Sequence, residues 1–233
     1  MTNRVPDWLT PISWLYIALA LLSAAAIAVD IYARHRRHTT VAEEVVWIAS
    51  ALYLGPFALP LYARHGRTTA QTTARTTART TENDVAATTG QNHDQPTAVA
   101  GLPGGGASAI AHLVGVPLVL ASGLTIAGID LWVMIIVIGV LAMAFLFAYE
   151  RAASERGRAV PVGAAVVAAV LTVLAFDIGM GGWMLLLHFN EFMPPASEGS
   201  FWFLMQVGIV LGLLTAYPVV SWLSRRHQTI APA

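Results

Sequence analysis

The sequence predicts an all-α polytopic membrane bundle of about six transmembrane helices: a two-helix hairpin, a disordered linker and a four-helix unit. Three observations carry this. Of 233 residues, 56% are hydrophobic and only 11% charged, against roughly 25% charged in a soluble domain. Mean hydropathy is +0.64. Six stretches also reach the roughly 20 mostly apolar residues that a helix needs to cross hydrocarbon.

The first stretch runs from Ile12 to Tyr32. It exceeds the roughly 7–15-residue apolar core of a secretory signal and ends at Asp30 and Arg34 rather than at a small-residue cleavage site, so it reads as a retained helix. The second runs from Val45 to Tyr62. Pro56 and Pro60 would allow it to break and re-enter, but six full crossings is the preferred reading. Residues 66–106 follow, with a four-residue Thr-Thr-Ala-Arg-like repeat over Thr68–Asn83, then Gln95-Pro96 and Gly104-Gly105-Gly106. Such composition buries too little apolar area to offset its ordering entropy, and the segment is expected to be a disordered tether. The division is therefore a two-helix hairpin at 1–65, the linker at 66–106 and a four-helix domain at 107–233. In that domain Ser108–Ala127 and Leu131–Tyr149 flank a tight turn. Val160–Leu187 is long enough to tilt, and Phe201–Leu223 closes the set.

Arginine placement sets orientation. All thirteen basic residues are Arg. With both termini cytoplasmic in a cell membrane, ten lie inside, and only Arg34, Arg36 and Arg37 lie outside, beside Asp30, Glu43 and Glu44. Trp132, Trp183 and Trp202 then mark the outer interface, with Trp222 and Tyr149 at the inner one. The absence of Lys and abundance of Ala, Val, Thr and Arg suit a GC-rich prokaryotic genome.

The composition also excludes functions. With no Cys, disulfides, thiolate catalysis and iron–sulfur clusters fall away. Zero net charge leaves no basic field for nucleic acid. No Walker loop, dinucleotide fingerprint, HExxH or Gly-x-Ser-x-Gly is present, and no nucleophile–base pair is visible, so an enzyme is not expected.

An ionisable group deep in a span costs at least ~2.5 kcal/mol on insertion scales and is a functional candidate by default. Asp177 in the fifth span and His112 in the third qualify. Asp30, Asp130 and Glu150 sit at helix ends, where water suffices. Asp177, Met180, Met184 and His188 recur at intervals of three and four and share one helical face. Thioether and imidazole suit Cu(I), and Glu191 follows in the outer loop. This predicts an outward-facing metal-cation or proton site on the fifth helix. Its competitor is a packing face in which Met fills gaps and Asp177 bonds a neighbouring helix. His112 and His188 cannot share a haem, because they lie roughly 8 Å and 42 Å along spans that start from the same side. His112 alone suits a buried histidine bonded to a carbonyl. The Arg34-His35-Arg36-Arg37-His38 run reads as a solvated loop. Gly208, Gly212 and Ala216 give the sixth span a smooth face, fitted to the fifth span. That face also offers the alternative function: an accessory subunit docking a membrane partner or a second copy.

Phe176-Asp177-Ile178-Gly179-Met180, Trp183-Met184, Phe201-Trp202-Phe203-Leu204-Met205-Gln206 and Leu214-Thr215-Ala216-Tyr217-Pro218 together resemble the signature of the domain of unknown function 4396 family, prokaryotic integral membrane proteins. Leu52-Tyr53-Leu54-Gly55-Pro56 and Gly66-Arg67 resemble its N-terminal hairpin, with Asp30 ending the first helix. The resemblance implies a membrane protein without an established activity. It departs where family members carry His-Cys-Gly-x-Gly-Cys: here Ala111-His112-Leu113-Val114-Gly115-Val116 keeps the histidine and lacks both cysteines. It departs again at Val167-Ala168-Ala169, where Lys-Ala-Asp is typical, and at Asp177, which aligns with a family Gln. A metal or redox site built from those family groups would be largely missing here.

Overall fold

In the computed structural model, which describes residues 4–38, 40–67, 101–154 and 162–229, nearly every residue is helical. Six helices are long and apolar enough to cross a membrane. They are α1 (Leu9–Tyr32), α2 (Val41–Gly66), α3 (Leu102–Ser122), α4 (Asp130–Ser154), α5 (Val162–Phe189) and α6 (Gly199–Thr229). The fold class read from composition is thus the fold observed.

Polar residues inside α1 are satisfied locally, as hydrocarbon demands. Ser13 and Ser23 are buried, and their hydroxyls donate to Leu9 O and Leu19 O, each at 2.7 Å. At the start of α2, Thr40 caps the helix by accepting from Glu43 N at 3.2 Å, placing Glu43 and Glu44 in the first turn, where the helix dipole favours them.

The second helix does not run straight. Tyr16 Oη donates to Tyr53 O at 3.1 Å, yet Tyr62 Oη donates to Asp30 at 3.2 Å, far along α1 toward its other end. Trp47 and Tyr62 would be roughly 22 Å apart in a straight helix, but their rings meet edge-to-face at 5.5 Å. His38 Nε2 lies 3.2 Å from Gly66 O. The segment therefore enters as Val41–Leu54, reverses, and returns through Ala58–Leu61 and a π-helical Tyr62–Gly66 to the level at which it started. The break is at Gly55, whose φ of 56° and ψ of −136° disfavour any residue with a Cβ. Pro56 then removes an N–H that a continuous helix would need. Six full crossings give way to the re-entrant form that Pro56 and Pro60 had allowed.

This reversal changes the topology. The two described chain ends lie at opposite ends of the bundle, whereas the expectation of both termini on one side counted six crossings. Arg4 pairs with Glu191 at 3.5 Å at one end. Arg34, Arg36, Arg37, Arg64 and Arg67 gather at the other, where α4 ends and α5 begins.

The linker boundaries also move. Gly66 and Arg67 complete the returning arm of α2, and α3 begins at Leu102 with Pro103 in its first turn. Gly104, Gly105 and Gly106 are helical, and a Cβ on Gly105 would stand 2.6 Å from the Tyr53 hydroxyl. Gly105 thus permits close packing, and the three helical glycines are not part of a flexible tether. The Thr-rich repeats lie outside the described residues. The third helix ends at Ser122 rather than Ala127, closed by Gly123 at φ 64°. Around the core, α1 and α3 each pack against both α2 and α6, α4 packs against α3 and α5, and α5 lies along α6.

Candidate functional site

The tip of the re-entrant hairpin carries polar groups into the apolar interior. Reversal at Gly55 leaves the last carbonyls of Val41–Leu54 without helical partners, and neighbouring helices supply them. Gln206 Nε2, from α6, donates to Leu52 O at 2.7 Å, and Tyr16, from α1, donates to Tyr53 O. Gln206 thus caps a helix 154 residues earlier in the chain.

Beside this tip is a cavity of about 240 Å³. Its walls are Trp14, Ile17, Ala20 and Leu21 of α1, Leu52 and Tyr53 of α2, Ala109, His112 and Leu113 of α3, and Trp202, Met205, Gln206 and Ile209 of α6. Three of the lining side chains keep a buried polar atom without a hydrogen-bond partner: Tyr53 Oη, His112 Nε2 and Gln206 Oε1. Tyr53 is 1% exposed and His112 3%. Buried polar groups are normally satisfied, and each one left over costs about 1–3 kcal/mol. Three orphans around one cavity mark this as the candidate site.

Their protonation follows from their other bonds. His112 Nδ1 lies 2.8 Å from Ser108 O, which can only accept. Nδ1 therefore carries the proton and Nε2 presents a lone pair. Gln206 spends an N–H on Leu52 O, leaving Oε1 as an acceptor. Tyr53 Oη can donate or accept.

A second polar cluster holds the base of the hairpin. Asp30, 4% exposed, receives Arg34 Nη1 at 3.2 Å, Arg67 Nε at 3.1 Å and Nη2 at 3.3 Å, and Tyr62 Oη at 3.2 Å, with Arg36 at 3.5 Å. Glu44, 1% exposed, accepts from Arg37 Nε at 2.7 Å and from His38 N at 3.1 Å. Burial pushes the His38 imidazole below its ordinary value, against the smaller opposing effects of Glu43, the Gly66 carbonyl and Glu44. The loop that read as solvated keeps Arg34, His35 and Arg37 exposed, and it also ties α1 to both arms of α2 through Arg37–Glu44 and His38–Gly66.

The fifth-helix candidates are placed differently. Met180 and Met184 are each 2% exposed. Met180 packs onto Gly208, and Phe176 onto Gly212. Ala216 is buried as well, so the smooth face of α6 is covered by α5 within the chain. The sequence's fifth–sixth helix contact is thereby observed, and that face is not open for docking a partner. Asp177 is half-buried on the side toward α4, with Oδ2 3.2 Å from where a Cβ on Gly139 would stand. His188 is half-buried in the last turn with its ring edge-on to Phe189. Glu191 is exposed, pairs with Arg4 and has φ of 62°. Among the described residues no group of three His, Asp or Glu is placed to hold a metal ion.

Of the sequence candidates, then, His112 reaches the cavity. Tyr53 and Gln206 were not singled out as site residues, although Pro56 and Pro60 were the available signal for a hairpin tip.

The model of a family described as Domain of unknown function (DUF4396) matches residues 95–228, more than half of the chain. A comparison with curated proteins and with solved structures finds no match. The matched region includes two of the cavity's four walls, α3 and α6, but neither α1 nor α2.

Proposed function

Starting from a chain that belongs to the DUF4396 family, we propose a multi-pass protein of the cell membrane whose working site is the cavity at the hairpin tip. The arginine-rich end faces the cytoplasm and the Arg4–Glu191 end faces outward. Five helices cross, and α2 enters and leaves on the cytoplasmic side. Among the described residues this puts Arg34, Arg36, Arg37, Arg64, Arg67, Arg151, Arg225 and Arg226 inside and Arg4 outside, a sharper bias than six crossings allow. The chain acts as a non-enzymatic module that binds a small ligand.

The observation that carries this reading is the meeting of Tyr53, His112 and Gln206, each with an orphan polar atom, beside the backbone break at Gly55. Irregular backbone at membrane depth is tolerated where it is buried in protein or lines a cavity, and broken helices recur at binding sites for that reason. The fifth-helix metal site draws no comparable support, since Met180 and Met184 fill the contact with α6.

The absence of Cys makes the test clean. Ala109→Cys, on the cavity wall, is expected to react with a small membrane-permeant methanethiosulfonate. Ala111→Cys, fully buried and off the wall, is expected to stay unmodified. Two equally inert thiols in well-folded protein would remove the cavity as a binding site.

A further inference from the structure

Resting on that reading, we infer that the ligand is a lipophile bearing a hydroxyl head, taken laterally from the bilayer through the gap between α1 and α3. Entry is set by the walls. Both α1 and α3 pack against α2 and α6 with little contact between them, and the cavity lies in the gap that they flank. Trp14 and Leu21 on one side of that gap, and Leu113 on the other, line the cavity while each is more than half exposed on the outer surface of the bundle. In a membrane those surfaces meet acyl chains, so the mouth opens to lipid.

The head group is set by the three orphan atoms. His112 Nε2 and Gln206 Oε1 are both acceptors, because the partner groups on the same side chains already donate to Ser108 O and Leu52 O. Only Tyr53 Oη can donate. An acceptor-rich set is matched by a group that offers a proton and can take one back, which a hydroxyl does and a ketone or ether does not. A metal cation is a poorer match: three neutral groups on apolar walls supply no charge for it. A 240 Å³ cavity holds about one substituted ring, judged against benzene filling a ~150 Å³ apolar cavity. The rest of a longer molecule would extend through the mouth into lipid. Phenolic quinols and isoprenoid alcohols share this chemistry.

The test uses the full chain in lipid nanodiscs with 4-butylphenol and its methyl ether, 4-butylanisole, followed by ligand-observed NMR. The phenol is expected to bind about tenfold more tightly than the ether, a difference set by one hydrogen bond to a buried acceptor. His112→Leu is expected to shrink that preference to about threefold or less, and Ala109→Trp to abolish binding of both, each with unchanged membrane yield. A short-chain benzoquinol and a short-chain isoprenoid alcohol then compete for the phenol. Displacement by one of them supports the inference and separates the two sources, and displacement by neither overturns it. Equal binding of phenol and ether, blocked by Ala109→Trp, overturns the hydroxyl assignment and leaves the cavity as the working site. No binding of either probe, together with an inert Ala109→Cys, overturns both.

Discussion

The two ends of the re-entrant hairpin differ in how they treat buried polar groups. At the base, Asp30 and Glu44 are almost fully buried, and arginines reach both. At the tip, Tyr53, His112 and Gln206 are neutral and keep three orphan atoms around a cavity. A buried charge without a partner is ruinous, whereas a buried neutral group without one costs only a few kcal/mol. Charge is therefore confined to the base, where it fixes the hairpin to α1. Orphan atoms occur at the base as well, on His38 Nδ1 and Glu44 Oε2, but those of the tip belong to side chains that line a cavity, where a ligand can supply the missing partners.

The largest effect should come from the base. Asp30→Ala removes the carboxylate on which Arg34, Arg36 and Arg67 converge and leaves the Tyr62 hydroxyl without its acceptor. Breaking a buried pair costs about 3–5 kcal/mol. The arginines are partly exposed and regain water, so about 2–3 kcal/mol is the expected loss. Thermal unfolding in detergent should show a clearly lowered Tm with poor membrane yield. An unchanged Tm would mean that the Asp30 cluster does not hold the hairpin.

The next comparison asks whether base and tip sit on the levels assigned to them. In single-Cys variants of the Cys-free chain, His35→Cys and Arg64→Cys should both react with a membrane-impermeant maleimide only after cells are opened. Asp7→Cys should react in intact cells. Labelling of Arg64→Cys in intact cells with His35→Cys still protected would restore a crossing second helix.

At the tip the expected effect on stability is small, and its sign sharpens the contrast. His112→Leu deletes an orphan nitrogen but also a bond to Ser108 O, within a helix that already satisfies that carbonyl. The expected change is within about 1 kcal/mol of zero, on the stabilising side. A loss as large as that of Asp30→Ala would make His112 a structural residue and weaken the case for a site.

How much of this was legible in the sequence depends on what the signal measures. Hydropathy reports how apolar a segment is, so it gave six helices. It does not report direction, and Val41–Gly66 is as apolar as a crossing helix while reversing at Gly55. Gly208 and Gly212 announced a close helix contact, and α5 fills it through Met180 and Phe176. The same spacing made Met180 and Met184 look like ligands, because a packing face and a ligand face share one periodicity. Asp30 read as a helix-end residue in water, since its partners Tyr62 and Arg67 are more than thirty positions away. Tyr53 and Gln206 are ordinary residues in any membrane helix. Only the pairing of Gln206 with Leu52 O, across 154 positions, brings them to the cavity wall.

The smallest effect comes from the residue that closes the base, and pH reveals it. His38 is buried, with Nε2–H donating to Gly66 O and Nδ1 left without a partner. Protonation would put a second N–H in a place with no acceptor, and burial depresses the imidazole below its ordinary value of 6.5, with Glu43 and Glu44 only partly opposing. The unfolded chain therefore takes up this proton first as pH falls. The contribution of neutral His38 is complete above about pH 6.5 and declines as pH drops below that value through the folded-state pKa. Tm of the native chain and of His38→Asn, measured between pH 8 and pH 5, should differ most at pH 8 and converge toward pH 5. The other histidines are common to both proteins and cancel in the difference. A gap that widens on acidification would mean that the imidazolium is held by Glu43 and Glu44, making the base a site that binds a proton rather than one that excludes it.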